Sequence, residues 1–97
     1  MNTIFKIAAV ALAATAAISS HAQDSYPANG KAITIIVPFT AGGPTDKVAR
    51  DLSEAMRKHL NNATIVIDNA DGAGSTIGTA KAARAKNDGY TLLLTHI

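Results

Sequence analysis

The sequence of 97 residues contains no cysteine and carries only a small excess of positive charge. Without cysteine the chain has no disulfide, no thiolate nucleophile and no thiolate metal site. Its nine basic and seven acidic residues are spread along the chain, so neither a basic patch for nucleic acid nor a charged interaction tail is indicated. A chain of this length forms at most one small domain.

The N-terminal residues have the pattern of an export signal. A short basic start, Met1–Lys6, precedes an unbroken apolar run from Ile7 to Ile18, and Ser20 and Ala22 stand where signal peptidase requires small residues. The apolar run is too short to span a bilayer. We therefore expect residues 1–22 to be a cleaved signal peptide and the protein to be periplasmic, with an uncleaved anchor as the alternative.

Removal of that segment would leave 75 residues with eight basic and seven acidic side chains. An exported domain of this size usually needs disulfides, a metal or a larger partner to be stable. Since cysteine is absent, this mismatch is the first indication that the sequence is incomplete.

Apolar runs and helical periodicities alternate along the remaining chain. Strands are predicted at Ala32–Val37, Thr64–Asp68 and Tyr90–Thr95, and helices from Thr45 to about Leu60 and from Ser75 or Thr76 to about Lys86. This alternation is typical of an α/β fold with parallel strands and right-handed crossovers. The first strand is apolar on both faces, which indicates a strand covered on both sides.

The two predicted helices differ in their apolar faces. In the first, apolar residues recur at helical spacing, and we expect this face to contact the sheet: Val48, Leu52, Ala55, Met56 and Leu60. In the second, the residues expected to pack on the sheet are small: Ile77, Ala80 and Ala83, with Gly78 as a further candidate.

The segment Pro38–Asp46 joins the first strand to the first helix and contains the adjacent glycines Gly42 and Gly43. A helix N-terminus presents unpaired N–H groups and partial positive charge, so this turn suits an anion. The glycines permit close approach of a ligand, and Pro44 favours a helix start. An ordinary strand-to-helix turn is the alternative interpretation, because α/β proteins contain many of them.

Asp46 stands beside this predicted anion site although it is negatively charged. As a capping residue it would satisfy N–H groups at the start of the helix. As a ligand-binding residue it would hold a water molecule or an ammonium group. We favour the capping role because aspartate is common in the first helical turn.

The second glycine-bearing turn does not fit a dinucleotide site. The spacing of Gly72, Gly74 and Gly78 is one residue too long for the fingerprint, and no acidic residue follows about twenty positions later. No lysine follows a glycine as in a phosphate loop. We therefore predict no nucleotide cofactor.

Catalytic and metal motifs are also missing. The sequence has no G-x-S-x-G nucleophile motif, and His21, His59 and His96 are not at metal-ligand spacing. We predict no catalytic residue, no metal and no cofactor. His96 follows the third predicted strand, a position from which it could contact a ligand.

Three stretches, PFTAGGPTD, NADGAGSTIG and DGYTLLL, resemble in sequence and order the start of the substrate-binding proteins of tripartite tricarboxylate transporters, the Bug family. The leader from Tyr26 and Pro27 into the first strand is similar too. The resemblance implies a bilobed, type II-like periplasmic binding protein, monomeric, that captures small organic acids or sometimes amino acids. It also implies delivery of the ligand to a membrane permease of two subunits.

The resemblance further implies which residues bind. In this family the turn that matches Phe39–Asp46 holds a ligand carboxylate largely through backbone N–H groups. The implied ligand-binding residues are Phe39, which would line the pocket, and Ala41, Gly42, Gly43, Thr45 and Asp46. Asp71 and Ser75 depart from the family, which commonly has proline and glycine at these positions.

Family members are several times longer than this chain. The resemblance therefore implies that residues 23–97 are the N-terminal part of the first lobe, in truncated form, and that this part alone binds weakly or not at all. Two alternatives stay open: a fragment of an exported α/β enzyme whose catalytic residues lie elsewhere, and a remnant without function.

Overall fold

The computed structural model describes residues 25–97; the predicted signal peptide, residues 1–22, lies outside the described residues. The elements follow the order strand β1 (Ile33–Val37), helix α1 (Pro44–His59), strand β2 (Ile65–Asn69), helix α2 (Thr76–Arg84) and strand β3 (Thr91–Leu93). The strands form one parallel sheet in the order β2-β1-β3. The predicted α/β fold with parallel strands is confirmed.

The central strand β1 is the core of the fold. Ile33, Ile35, Ile36 and Val37 are each at most 2% exposed, although consecutive side chains point to opposite faces of the sheet. Both faces of β1 are therefore covered, as predicted from its sequence, which is apolar on both faces apart from Thr34.

The predicted contact face of α1 is wrong for three of its five residues. Val48 is 56% exposed and Leu52 is 41% exposed, and Ala55 is exposed as well. Met56 and Leu60 are half-buried, as expected.

Helix α1 instead contacts the sheet through the face next to the predicted one, and this face carries small and polar residues. Thr45, Ala49 and Ser53 are buried. The Ser53 hydroxyl donates to the Ala49 carbonyl at 2.7 Å, so its burial leaves no unsatisfied polar group. These short side chains let the helix lie close to β1.

Helix α2 approaches the sheet at a glycine. Gly78 is its buried residue, and an added Cβ there would lie 2.5 Å from the Ala70 carbonyl oxygen and 2.6 Å from Pro38 Cβ. Since real Cβ atoms do not come this close, the position admits only glycine. Gly78 thus sets the distance of α2 from the ends of β1 and β2.

The other residues predicted to face the sheet from α2 do not all do so. Ala80 is half-buried, but Ala83 is exposed and Ile77 is 55% exposed. The prediction was wrong for Ile77 and Ala83, because contact at Gly78 rotates the bulkier flanking side chains away from the sheet.

The leader before β1 has no regular structure and is fixed to the turn before β3. The Tyr26 hydroxyl donates to the Gly89 carbonyl at 2.6 Å, and the Ala28 N–H donates to the Tyr90 hydroxyl at 2.8 Å. The two tyrosine rings lie 5.0 Å apart, and the Lys31 ammonium lies 4.1 Å above the Tyr90 ring.

Candidate functional site

The segments that follow the three parallel strands meet at one edge of the sheet, as the carboxyl ends of parallel strands do. They enclose a cleft of about 370 Å³. Its walls come from residues 38–40 and 43–45 of the first turn, from four residues between Asp71 and Ser75 of the second turn, and from His96 after β3.

The start of helix α1 forms one wall of the cleft. Pro44 is the first helical residue, and Gly43 precedes it without a side-chain cap. The Lys47 N–H bonds back to the Gly43 carbonyl at 3.1 Å, so the N–H groups of Thr45 and Asp46 have no partner within the helix. Thr45 lies on the cleft wall, which places unpaired backbone donors beside the cavity.

Asp46 lies beneath the first turn, with its side chain only 5% exposed. Its carboxylate accepts hydrogen bonds from the Gly42 N–H, the Arg50 Nε and the Asn69 Nδ2, each at 2.9 Å. The Gly42 N–H is therefore committed to Asp46. This geometry agrees with the capping role, since the carboxylate satisfies a backbone donor next to the helix start.

The three donors also determine the protonation state of Asp46. The hydrogen bond from Arg50, followed by those from the Gly42 N–H and Asn69, lowers the pKa of this carboxyl from 3.8 to about 2. Asp46 is thus ionised at neutral pH, and the adjacent Arg50 guanidinium compensates its charge at the surface.

Asn69 connects the first turn to β2. Its side-chain amide donates to Asp46 and also lies 3.4 Å from the Phe39 carbonyl oxygen. Sequence reasoning missed this residue. A polar side chain directly at the carboxyl end of a parallel strand is the signal that could have found it.

The second turn has an unusual backbone. Gly72, Ala73, Gly74 and Ser75 have consecutive positive φ angles of 122°, 49°, 61° and 80°. Ser75 occupies the position before α2, where a capping residue was predicted, but its side chain makes no cap hydrogen bond. The reason is its left-handed backbone, since capping side chains normally belong to residues with extended backbone.

One side-chain contact joins the two turns directly. The Thr40 hydroxyl donates to the Asp71 carboxylate at 3.3 Å. Both residues lie on the cleft wall, so the contact connects the two walls of the cavity.

An aromatic pair forms a further wall. The imidazole of His96 stacks on the ring of Phe39 with a centroid distance of 4.4 Å and an angle of 10° between the planes. His96 therefore stands beside the cleft, whereas His59 is exposed on α1. Among residues 25–97 no cluster of three or more acidic or histidine side chains could hold a metal ion.

The structure separates the six predicted ligand-binding residues into two groups. Phe39, Gly43 and Thr45 line the cleft. Ala41 and Gly42 are exposed on the outer bend of the turn, and Asp46 is buried below it. Of the side chains on the cleft wall, that of Asp71 is a carboxyl group and none belongs to lysine or arginine.

Comparison with known proteins places this chain in a family. Residues 48–96 match the family described as tripartite tricarboxylate transporter family receptor. A UPF0065 protein of Agrobacterium vitis is 47% identical over 78 residues, which are 80% of this chain and 22% of the relative. Protein BugT of Bordetella pertussis is 37% identical over 94 residues, which are 97% of this chain and 28% of BugT.

Solved structures agree with these relatives. The periplasmic binding protein BugD is 53% identical with a TM-score of 0.64, over 70% of this chain and 22% of BugD. MatC from Rhodopseudomonas palustris, solved with bound malate, is 43% identical with a TM-score of 0.62, over 67% of this chain and 22% of MatC. The family is described as a receptor family and BugD as a periplasmic binding protein, which agrees with the prediction that this chain is not an enzyme.

The chain spans about a quarter of the length of the curated relatives it matches, since the matched segments cover 22% to 28% of them. Within residues 25–97 no helix has the length and apolar character needed to cross a membrane. The family match covers half of the chain, and the identities, the order of the elements and the fold agree with it. The chain belongs to the receptor family of the tripartite tricarboxylate transporters, the Bug family.

Proposed function

We propose that this chain is the ligand-capturing N-terminal part of a periplasmic solute receptor, which binds a small carboxylate in the cleft and delivers it to a tripartite transporter. Residues 1–22 would direct export, and residues 23–97 would belong to the first lobe of a monomeric, bilobed receptor. The partner would be a membrane permease of two subunits.

One observation carries this proposal: the N–H groups of Thr45 and Asp46 have no partner within α1, and Thr45 lies on the cleft wall. The partial positive charge of a helix N-terminus favours a carboxylate at this position. The absence of lysine and arginine from the cleft wall supports binding through the backbone. Gly42 would shape the turn through its bond to Asp46, while Gly43 and Thr45 would face the ligand, with Phe39 as an apolar wall.

The related proteins support the ligand class and the location. The family is described as a transporter receptor, BugD is a periplasmic binding protein, and MatC was solved with malate. A carboxylate that binds beyond the carboxyl ends of parallel strands also agrees with the usual ligand position in open α/β sheets.

We expect weak binding by this chain. A hydrogen bond to a charged group contributes roughly 1.5–3 kcal/mol, so the two N–H groups of Thr45 and Asp46 give about 3–6 kcal/mol. Association costs about 4–15 kcal/mol before any affinity remains. At most about 2 kcal/mol is then left, which corresponds to a dissociation constant of tens of millimolar or weaker, whereas micromolar capture needs about 8 kcal/mol.

A titration of the full chain with malate, followed by amide NMR, tests the proposal. We expect shifts concentrated in residues 40–46 and a dissociation constant of tens of millimolar or weaker. Gly43→Ala places a methyl group in the cleft, yet its Cβ would lie 3.4 Å from the Thr40 carbonyl oxygen, an ordinary contact. This variant should therefore weaken binding about tenfold, the equivalent of roughly one hydrogen bond to the ligand, while leaving the fold intact.

Lys47→Ala is the matched control. The Lys47 ammonium is next to the turn but already pairs with Asp51 at 2.8 Å, so its loss should leave malate binding unchanged. Binding that depends on Lys47 and not on Gly43 would assign the anion to a cationic side chain and contradict the proposal. Shifts confined to a region outside the cleft would contradict it as well.

A further inference from the structure

We infer that Asn29 is a site of spontaneous covalent modification, at which the side-chain amide is lost as ammonia and the backbone rearranges to isoaspartate. The site lies in the leader before β1, at the amino ends of the strands, whereas the cleft lies at their carboxyl ends. The modification is therefore independent of what the cleft binds.

Asn29 differs from the other asparagines in the residue that follows it. Asparagine is among the thermolabile residues of proteins, and its reaction begins when the backbone nitrogen of the next residue attacks the side-chain amide carbon. A Cβ on that next residue obstructs the approach, and Gly30 has none. The other five asparagines all precede residues that carry a Cβ: Asn2, Asn61, Asn62, Asn69 and Asn87.

The local backbone leaves both reacting groups free. The Lys31 N–H donates to the Ala28 carbonyl at 3.0 Å, so Asn29 and Gly30 are the central residues of a β-turn. Gly30 has a φ of 80°, as the third residue of a type II turn requires. Both central residues are exposed, and neither the Asn29 side chain nor the Gly30 N–H makes a hydrogen bond to another described residue.

Asn69 shows the opposite situation. Its side-chain amide donates to the Asp46 carboxylate at 2.9 Å, and the residue is half-buried. An amide held in this way cannot turn towards the following backbone nitrogen without losing that bond. The structure therefore protects Asn69 and leaves Asn29 open to reaction.

The reaction needs only water as a co-reactant. The Gly30 nitrogen bonds to Cγ of Asn29, the Cγ–Nδ2 bond breaks, and ammonia leaves with the proton of the attacking nitrogen. Water then opens the cyclic imide. Cleavage at Cγ gives aspartate, whereas cleavage at the backbone carbonyl carbon gives isoaspartate, in which the chain runs through Cβ and Cγ. Both products carry a new carboxylate, and isoaspartate also adds a methylene to the backbone.

The modified turn lies between two contacts that fix the leader to the turn before β3. On one side, the Ala28 N–H donates to the Tyr90 hydroxyl at 2.8 Å. On the other side, the Lys31 ammonium lies 4.1 Å from the centroid of the Tyr90 ring and 3.6 Å from the Asp88 carboxylate. A methylene inserted between Ala28 and Lys31 changes the chain length between these two anchors. Isoaspartate at this position therefore loosens the leader.

Incubation of the full chain at mildly alkaline pH, followed by peptide mass spectrometry, tests the site. The peptide that contains Asn29 should gain the mass of an amide-to-acid exchange before any other asparagine peptide, and it should contain isoaspartate beside aspartate. Asn29→Gln should lose this change, because the longer side chain closes its ring far more slowly. Asn62→Gln, at another exposed asparagine, should leave it in place. Earlier conversion of another asparagine, or aspartate without isoaspartate, would overturn the inference, since direct hydrolysis does not pass through Gly30.

Amide exchange tests the effect on the leader. Freshly prepared Asn29→Asp carries the new charge on an unchanged backbone and is the matched control. Exchange at Ala28 and Lys31 should rise in the aged chain that contains isoaspartate and stay unchanged in Asn29→Asp. An equal rise in both would assign the loosening to charge and contradict the role of the added methylene. Unchanged exchange in the aged chain would show that the leader does not depend on this turn.

Discussion

The two turns that form the cleft are built differently. In the first turn, side chains hold the backbone: Asp46 accepts the Gly42 N–H and is itself held by Arg50 and Asn69. The second turn has four consecutive positive φ angles from Gly72 to Ser75, and its carbonyls at Ala73 and Ser75 accept hydrogen bonds from the hydroxyls of Thr76 and Thr79 in α2. The first turn therefore carries its own support, whereas the second depends on where α2 is placed.

This difference explains what each turn can supply to a ligand. The first turn presents unpaired N–H groups in a position fixed by a buried carboxylate, which suits recognition of an anion without rearrangement. The second turn presents Asp71 from an exposed loop. Among the described residues, the side-chain hydrogen bond that connects Asp71 to the first turn is the one from the Thr40 hydroxyl. Substitutions that disturb one turn and not the other test whether the two turns are supported in these different ways.

The largest expected effect comes from Gly78→Ala. The new Cβ would collide with the Ala70 carbonyl oxygen and with Pro38, which belong to the two turns. Overpacking costs typically 1–3 kcal/mol, and we expect a loss in the upper part of that range because backbone atoms cannot move aside easily. Urea unfolding of the full chain measures it.

Ala83→Gln provides the control for Gly78→Ala, since Ala83 belongs to the same helix and is exposed, so that added side-chain atoms have room there. Its unfolding free energy should change by less than about 0.5 kcal/mol. If Gly78→Ala were as mild as this control, α2 would not be set by close packing, and the second turn would have to be held in another way.

A smaller effect is expected from Asn69→Ala. The variant removes the donor to Asp46 Oδ1, and loss of a hydrogen bond to a charged group costs roughly 1.5–3 kcal/mol, less here because Asn69 is half-buried and water can substitute. Amide exchange should rise in residues 40–46 and stay unchanged in residues 72–76.

Asn87→Ala is the matched control, because Asn87 is exposed between α2 and β3. Equal exchange in both turns after the loss of Asn69 would show that the turns are one cooperative unit. The two turns would then not be supported independently of each other.

The last prediction has its effect only in acid. The pKa of Asp46 is about 2 in the folded chain, below the value of 3.8 expected in the unfolded chain. A lowered folded-state pKa contributes stability that is complete above pH 4 and is lost as the pH falls towards 2. Asp46→Asn should therefore reduce the acid-dependent loss of stability, as seen in thermal unfolding between these pH values.

Asp46→Asn will not remove the acid dependence completely. The N–H of Tyr90, as the main cause, also lowers the pKa of Asp88, so this second carboxyl contributes in the same direction. An unchanged slope in Asp46→Asn would mean that the three hydrogen bonds to Asp46 do not favour its charged form.

Much of the fold could be predicted from local patterns. The alternation of apolar runs and helical periods gave the element order, and the sequence of β1, apolar on both faces apart from Thr34, indicated a strand covered on both faces. The contact face of α1 could not be found in this way. Apolar periodicity selects Val48 and Leu52, but close packing on β1 selects the shorter side chains of Ala49 and Ser53.

The candidate site divides in a similar way. The sequence by itself predicted a helix start at Thr45, one residue from the observed start at Pro44, because proline and glycine restrict or extend the allowed backbone angles locally. It thereby predicted unpaired N–H groups at this place. Only the tertiary structure decided that Asn69 supports Asp46, that His96 stacks on Phe39 and that the Thr40 hydroxyl meets Asp71. These contacts join residues 23 to 57 positions apart in the chain, and their partners depend on how parallel strands align, which no local pattern encodes.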